Sequence, residues 1–437
     1  MSKVGLYTLG CKVSLYETEA IGEAFAKAGF EVAPFNDVCD VYVINTCTVT
    51  AESDAKSRKY IRRAIRRNPD AVVIAIGCYT QRAPDEVAAI PGVSAVIGTA
   101  DKLKCVEIAQ QIISNPESRI QNFVTSLDGA TFEPMCIESA PRTRAYVKIE
   151  DGCECKCTYC AISGARGPVR SKRPEEVIRE VEGLYRSGTR EIVLTGIETG
   201  SYGADFEEKY DLADLLCELD RRHSCERIRL GSMAPELLSE KFISRVAGLG
   251  ILTPHFHVSM QSGSDSVLRA MKRRYSRAMA LENINRIKEM MPRVMLTADL
   301  MVGFPGESEE DFLDTMRFVS EAGLLDAHVF AYSKREGTPA ADYDGQIPEE
   351  IKHIRSAALI RECERVRDEV LDRVVELGEP LPTIFETRKS NAYFGHSDSY
   401  IEVCASSDVN LCTKLVNIKP ISHEGGVIYG EVLENNN

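Results

Sequence analysis

No run of this chain is long and apolar enough to cross a bilayer. The longest, Ala71–Tyr79, is less than half of the roughly 20 residues a spanning helix needs. The N-terminus lacks a basic segment, an apolar segment and a cleavage site, and enters a strand-like run, Lys3–Leu9, almost at once. The expectation is a cytoplasmic protein without a membrane partner. Positive charge is short too. The 53 Lys and Arg stand against 66 Asp and Glu, a net charge of −13. That argues against general nucleic-acid binding and requires any RNA to be met by a local basic patch. Low-complexity tracts and solenoid repeats are absent. The 7 His show no metal-ligand spacing. His255 and His257, two apart on a strand, share a face and read as packing or hydrogen-bonding groups. The turn Gly303–Glu307 (GFPGE) is not a Walker A loop, which excludes a nucleoside triphosphatase.

The chain is too long for one ordinary domain. Residues 1–113 alternate strand and helix: strands at Val4–Leu9, Val41–Asn45, Val72–Ile76 and Ala95–Ile97, with helices such as Ser14–Ala28 and Ala51–Arg67 between them. This predicts a doubly wound parallel sheet covered by helices. Residues 114–142 are mixed and turn-rich and read as a linker. From Arg144 the alternation restarts, with strands at Ala145–Ile149, Glu191–Leu194, Arg227–Leu230, His255–Met260, Val294–Met301 and Ala327–Ala331. Helical patterns follow each, at Pro174–Arg186, Leu212–Arg222, Leu237–Ala247, Ala278–Met290, Glu309–Ala322 and Glu349–Glu376. Six β/α units in a row predict a barrel or partial barrel. Gly378-Glu379-Pro380 ends the last helix. Short β-like runs at Thr383–Thr387, Ser399–Val403, Lys414–Ile418 and Gly426–Val432 then predict a small all-β module.

Cysteine is in excess, with 15 in the chain. In a reducing compartment this points to metal binding or catalysis, with the remainder in the core. Cys153, Cys157 and Cys160 form Cys-x3-Cys-x2-Cys directly after the first barrel strand, at the end where barrel active sites lie. Thiolates suit iron–sulfur clusters and zinc. Three ligands on a 4Fe–4S cluster leave one iron open to chelate the amino and carboxylate groups of a ligand. The alternative is structural zinc with Cys155 as fourth ligand. Cys155 is two residues from both Cys153 and Cys157, badly placed for that, and is expected to point away. Cys11, Cys47 and Cys78 each end a predicted strand of the first domain (LYTLGC, VYVINTC, VVIAIGC). Singly, each reads equally well as a core or loop cysteine. Together, on the edge where doubly wound sheets bind ligands, they favour a second metal centre. Cys39, Cys105, Cys136, Cys217, Cys225, Cys363, Cys404 and Cys412 have no ligand spacing.

These residues resemble the radical-SAM methylthiotransferases over nearly the whole chain. TLGCKVSLYETEA, VINTCTVT and GCYTQ look like that family's N-terminal domain, and DGCECKCTYCAISGARGPVRS like its S-adenosylmethionine (SAM) loop. HFHVSMQSGSDSVLRAMKRRY and ADLMVGFPGESEEDF look like its later barrel strands. GCKV, ISGARGPVRS and HVFAYSKREGTPAA are most similar to the subgroup that converts N6-threonylcarbamoyladenosine, next to the anticodon of tRNA, to its 2-methylthio derivative. The resemblance implies a doubly wound N-terminal domain (1–115), a linker (116–142), a partial (β/α)6 radical-SAM barrel (143–377) and a TRAM-like β domain (378–437). It implies two 4Fe–4S clusters and SAM as methyl donor and radical source. Cys153, Cys157 and Cys160 would hold the SAM-cleaving cluster, and Cys11, Cys47 and Cys78 the auxiliary one. Tyr159 would lie beside the adenine of SAM, and Gly196-Ile197-Glu198 at its amino group. Ser232, Gln261 and Asp299 are candidates for its ribose or methionine. Arg166 and Arg170 are candidates for the SAM carboxylate or an RNA phosphate. Gly231, Ala234 and Glu198 depart from the residue types expected there.

A reaction at the non-acidic C2–H of adenine needs a cofactor rather than acid–base chemistry. The implied partners are the anticodon stem-loop of tRNA, an electron donor and a sulfur source, with the enzyme a monomer. Lys56–Arg67 (KSRKYIRRAIRR) offers a phosphate-facing surface: Arg58, Lys59, Arg62, Arg63, Arg66 and Arg67 fall on one half of a helix, and Ile61, Ala64 and Ile65 on the other. Lys272–Arg274 with Arg277 is a lesser patch. Residues 380–437 carry four basic residues (Arg388, Lys389, Lys414, Lys419) against seven acidic ones, so RNA binding there would rest on Phe385, Tyr393, Phe394 or Tyr400. The competing readings are a methylthiotransferase for isopentenyladenosine in tRNA or for a ribosomal-protein aspartate, a metal-stabilised RNA-binding protein, and a two-cluster electron carrier.

Overall fold

Val41–Thr46 and Val72–Gly77 are almost wholly apolar and buried at every position, the pattern of strands covered on both faces. In the computed structural model, which describes residues 1–115, 121–140 and 143–433, they form the centre of a parallel sheet. The strand order is Glu31–Ala33, Lys3–Thr8, Val41–Thr46, Val72–Gly77, Ala95–Val96, Gln121–Asn122. The direction of winding reverses between Lys3–Thr8 and Val41–Thr46, the switch point at which doubly wound sheets open a crevice. Two strands were not expected from sequence. Glu31–Ala33 is an edge strand, and Gln121–Asn122 belongs to the stretch read as a linker. That stretch is no loose tether. Met135 and Ile137 are buried, the Met135 carbonyl accepts from Tyr16 and Lys172 at 2.7 Å each, and the Ile137 amide donates to Glu180. Its residues 116–120 and 141–142 lie outside the described residues.

The central unit holds six parallel strands in two sheets. Arg144–Lys148, Glu191–Thr195 and Arg227–Leu230 make one. Ser232–Met233, His255–Gln261, Met295–Val302 and Asp326–Ala331 make the other. The third strand is thus broken at Gly231, after which it pairs with the fourth. No pairing joins the first strand to the last among the described residues. The helix Lys12–Lys27 of the first domain packs against the first strand instead. The helix predicted at Leu237–Ala247 starts later, at Glu240, because Ser239 caps it and Pro235–Leu237 forms a 3-10 turn. No described helix is long and apolar enough to cross a membrane.

The long helix Glu349–Leu377 ends at Gly378 in the left-handed conformation. Leu381–Lys389, Ala392–Ser397, Glu402–Ser406, Val427–Val432 and Leu415–Glu424 then close into a small barrel. Ala392–Ser397 was not expected as a strand. This barrel seals the N-terminal mouth of the larger one. Arg227 donates to the Pro382 carbonyl at 2.8 Å and Arg229 to the Ser397 carbonyl at 3.3 Å. The Tyr400 ring stacks between His255 and His396, at 4.6 and 5.0 Å, with Arg229 and Arg144 against its face.

The first domain and the barrel meet through buried charge. Glu17 is fully buried and pairs with Arg166 at 2.6 Å and with Lys102 and Lys148 at 3.1 Å each. Asp151 adds contacts to Lys148, Arg166 and Arg170. Burial alone would raise the Glu17 carboxyl, but Arg166, Lys102 and Lys148 outweigh it and hold it well below its ordinary 4.5. Removing one partner of such a cluster leaves uncompensated buried charge. E17Q is therefore expected to lower the unfolding free energy by about 3–5 kcal/mol, measured by urea denaturation. In the wild type this contribution is fully present above pH 4.5 and is lost as pH falls through the depressed folded-state value. E17Q should lack that acid-dependent loss.

Candidate active site

The first barrel strand runs into Glu150–Asp151, which pairs antiparallel with Arg170–Ser171. Gly152 then turns the chain at φ +98. A Cβ there would lie 1.9 Å from the Pro168 carbonyl oxygen, so only glycine fits. Beyond it the loop is pinned on both sides. The Cys153 amide donates to the Gly167 carbonyl at 3.0 Å, and Thr158 bonds the Met271 and Ala270 carbonyls. The three thiols of Cys153, Cys157 and Cys160 therefore sit on a fixed loop at the C-terminal mouth. Arg273 Nη1 donates to Cys157 Sγ at 3.3 Å and Nη2 to the Ser259 carbonyl. The Ile162 amide donates to Cys160 Sγ at 3.3 Å. Burial raises the Cys160 thiol, and the Ile162 amide opposes that shift. The sequence pattern marks Arg273 only as part of the basic run Lys272–Arg274. Cys155 lies near enough to Cys153 for the two thiols to shift each other's ionisation, Cys153 upward and Cys155 down to about 6.

Cys11, Cys47 and Cys78 follow three neighbouring strands of the first sheet, and each thiol feels the other two electrostatically. A Cβ on Gly10 would be 3.2 Å from Cys47 Sγ, which shows how closely the Cys11 turn meets Cys47. Burial pushes the Cys78 thiol up to about 12, and Arg166 opposes that shift with Nε 3.1 Å from Cys78 Sγ. Neither triad has its three sulfurs within 4.8 Å of one another, whereas His257, Asp299 and His328 do bring their ligand atoms that close.

The triads face each other across the domain junction. The turn Cys78–Arg82 packs on Ile162–Arg166, and Thr99 Oγ1 donates to the Ala165 carbonyl at 2.7 Å. On the far side Arg335 holds Thr48 and Asp54 at 2.7 and 2.6 Å, and Arg82 reaches the Glu336 carbonyl at 2.7 Å. Arg166 and Arg170 belong to this junction, which corrects their expected role. Both are buried, their guanidinium groups committed to Glu17, Asp151 and backbone carbonyls. They are not free to meet a SAM carboxylate or an RNA phosphate.

Gly196 leaves room for Glu150. A Cβ would fall 2.4 Å from Glu150 Oε2, which accepts from the Glu198 amide at 2.9 Å. Glu150 Oε1 is buried without a partner. Burial pushes the Glu150 carboxyl well above its ordinary value and that of Glu198 up to about 8. Glu198 itself accepts from the Ala234 amide at 3.1 Å. An orphaned acceptor beside a second carboxyl fits a ligand that brings N–H donors, as the amino group of SAM does. Gln261 ends the fourth strand in a left-handed conformation, buried and with no side-chain hydrogen bond among the described residues. Ser232 bonds Ser259 at 2.6 Å. Tyr159 packs against the small apolar cluster that comprises Val267, Met271, Met301, Phe304, Tyr332 and Ala340. Asp299 is occupied differently from expectation, between His257 at 3.2 Å and His328 at 3.4 Å.

The basic helix is Ala51–Arg67, capped by Thr50, with Ile61 and Ala64 buried. Lys59, Arg62, Arg66 and Arg67 are exposed and make no ion pair or hydrogen bond among the described residues. Arg58 and Arg63 are corrected: Arg58 is tied to Tyr79 and Glu86, and Arg63 to Asn36. In the C-terminal barrel Phe385 and Tyr393 are core residues and Tyr400 is the interface plug, so none offers a stacking platform. Phe394 remains partly exposed beside Lys389.

Comparison with known proteins agrees with this geometry. The Radical SAM superfamily model matches residues 147–319, and a family described as uncharacterized, UPF0004, matches residues 3–98. The chain is 41% identical to a threonylcarbamoyladenosine tRNA methylthiotransferase of Bacillus subtilis, covering 99% of this chain and 96% of that protein. It is 37% identical to the Aquifex aeolicus protein of the same name, over 85% of this chain and 90% of that one. It is 32% identical to a tRNA-2-methylthio-N(6)-dimethylallyladenosine synthase of Alkaliphilus oremlandii, over 99% and 93%. The fold is similar to that of a radical SAM methyltransferase, TsrM, from Kitasatospora setae. The TM-score is 0.58 at 18% identity, with 78% of this chain and 77% of that chain covered.

C157A and C47A are each expected to remove about half of the iron and sulfide of reconstituted protein, roughly four of eight irons per chain, and the double variant nearly all of it. Zinc without iron in the wild type would defeat the assignment of both triads.

Proposed function

The chain belongs to the radical-SAM tRNA methylthiotransferases, and we infer that it converts N6-threonylcarbamoyladenosine in tRNA to its 2-methylthio derivative. The observation that carries this is the pairing of two cysteine triads across one junction, in a chain that matches threonylcarbamoyladenosine enzymes over nearly its whole length. A 4Fe–4S cluster and SAM supply the one-electron chemistry that a non-acidic aromatic C–H requires. Cys153, Cys157 and Cys160 hold that cluster. We assign a second cluster, the source of the transferred sulfur, to Cys11, Cys47 and Cys78.

The chain's own residues bind, orient and exclude water. Arg273 steadies Cys157 and Arg166 steadies Cys78, each giving its thiolate a charged donor. The Glu150 and Glu198 carboxyls receive the amino end of SAM. Gln261 and Ser232 lie at neighbouring strand ends for its ribose or methionine, and Tyr159 flanks its adenine. The C-terminal barrel covers the opposite mouth through Tyr400 and Arg229, which leaves the cluster side as the entrance we assign to substrate. The modified base leaves its stack to reach that side, which loop nucleotides do at least cost. Lys59, Arg62, Arg66 and Arg67 form the phosphate-facing surface. The helix that carries them starts four residues after Cys47 and leads away from the site. An electron donor and a sulfur source complete the partners.

The assay is anaerobic. Reconstituted protein, SAM and dithionite are mixed with tRNA bearing N6-threonylcarbamoyladenosine, and the digested nucleosides are read by mass spectrometry. The expected product is the 2-methylthio nucleoside, lost in C157A and in C47A. Release of 5′-deoxyadenosine with that tRNA left unmodified would retain the radical-SAM chemistry and refute the substrate. Reversing four charges, Lys59, Arg62, Arg66 and Arg67 to Glu, is expected to raise the tRNA Kd at least about tenfold and to flatten its salt dependence. Filter binding across a salt series measures both.

A further inference from the structure

The last three strands of the large barrel alternate faces in register. Phe256 and Val258 on the fourth, Ala298 and Leu300 on the fifth, and Ala327 and Val329 on the sixth turn into the apolar core. The residues between them, His257, Asp299 and His328, face the other way, into the lumen. Asp299 stands directly opposite His328, and His257 opposite Thr297, the same-face neighbour of Asp299. One ligand atom from each of the three lies within 4.8 Å of the other two. Asp299 turns Oδ2 to His257 Nε2 at 3.2 Å and Oδ1 to His328 Nδ1 at 3.4 Å. A charge-assisted N–H···O bond is shorter, about 2.7–2.9 Å. Two ligand atoms that each sit about 2.1 Å from one ion stand about 3.0–3.4 Å apart in octahedral or tetrahedral geometry. The spacing is thus that of ligands around a shared ion rather than of a tight ion pair.

The surroundings agree. Thr297 Oγ1 lies 2.8 Å from His257 Nδ1, which fixes that ring and leaves Nε2 as the ligand atom. The same hydroxyl is 3.0 Å from His255 Nε2, so it is itself held in place. Exposure rises from 14% at His257 through 27% at Asp299 to 77% at His328, which gives an ion a path from solvent. We propose that His257, Asp299 and His328 form a site for one divalent transition-metal ion, of the class that imidazole and carboxylate ligands bind together, separate from both cysteine triads. Three protein ligands leave the remaining positions of the ion to water or to an oxygen donor in the lumen. The ligands come from three strands, so no spacing along the chain reveals them. The site stands whether or not the substrate reading above does.

The test uses reconstituted holoenzyme, in which the triads are filled with iron, and zinc as the probe. Protein is incubated anaerobically with zinc, desalted, and its zinc and iron are counted by plasma mass spectrometry. Wild type is expected to retain about one zinc per chain with its iron unchanged, and zinc should raise its thermal midpoint. D299N should retain almost none and show no thermal shift. T297V, which loses only the group that orients His257, should bind zinc about tenfold or more weakly. Iron content and the zinc-free thermal midpoint identify a variant that has merely misfolded. H328A, whose side chain is mostly in solvent, then replaces D299N. The proposal is overturned if wild type retains no zinc, or if folded, iron-replete D299N and H328A retain as much as wild type. Zinc that stays in those two variants and leaves in C155S would be thiol-bound, which overturns it equally.

Discussion

Glu17 is the residue on which the geometry of this protein turns. It sits on the helix behind Cys11, is sealed from solvent, and is shared by Lys102 of its own domain and Lys148 and Arg166 of the barrel. Charges taken from water are tolerated only when every partner is in place, so such a cluster admits few alternative arrangements. Arg166 links it to sulfur: one edge of its guanidinium is held by Glu17 and Asp151 while Nε meets Cys78. The distance between the two cysteine triads is therefore set by an electrostatic lock rather than by a flexible hinge. That suits chemistry in which a short-lived radical and a sulfur must meet at one carbon.

A second lock closes the other end. Arg229 and Arg144 share Glu191, which they hold at about 2 against the upward push of burial. Both also lie against Tyr400, delivered by the C-terminal barrel. The aromatic plug and the paired charges shut the N-terminal mouth. The helix Lys12–Lys27 packs against the first barrel strand, which does not pair with the last among the described residues. One helix thus packs on the first barrel strand, contributes Glu17 to the central charge cluster and follows directly on Cys11. This explains why its buried face includes Glu17 and Thr18 alongside Val13, Tyr16 and Ile21.

The cysteine spacing and the apolar strand runs were legible because each is a local signal: ligand spacing along a loop, and continuous apolar residues in a strand buried on both sides. Ala51–Arg67 and Glu309–Ala322 were readable to the residue for the same reason, with Thr50 and Ser308 capping them. What could not be read was partnership across long separations. Arg166 looks like a ligand-binding arginine until Glu17, 149 residues away, is placed against it. Phe385, Tyr393 and Tyr400 look like RNA-stacking rings until the small barrel closes around the first two and docks the third. Ala392–Ser397 escaped notice because Gly395 interrupts its pattern. The close approach of Ile384, whose carbonyl would sit 2.1 Å from a Cβ there, is a reason for that glycine visible only in three dimensions.

The charge distribution then bears on how a polyanion can approach. With a net charge of −13, most of the surface repels RNA. The C-terminal barrel shares that sign, and its basic residues are few. The exposed cations of Ala51–Arg67 are attractive, and the helix begins beside the Cys47 turn. Like-charge repulsion over the remainder of the molecule disfavours docking of a polyanion elsewhere, and on the function proposed above the basic face is where the tRNA would be drawn in. An acidic protein with one local basic strip can thus orient its substrate more strictly than a uniformly basic one. A uniformly basic surface would hold tRNA tightly in many registers, and most of those would leave the target base far from both triads.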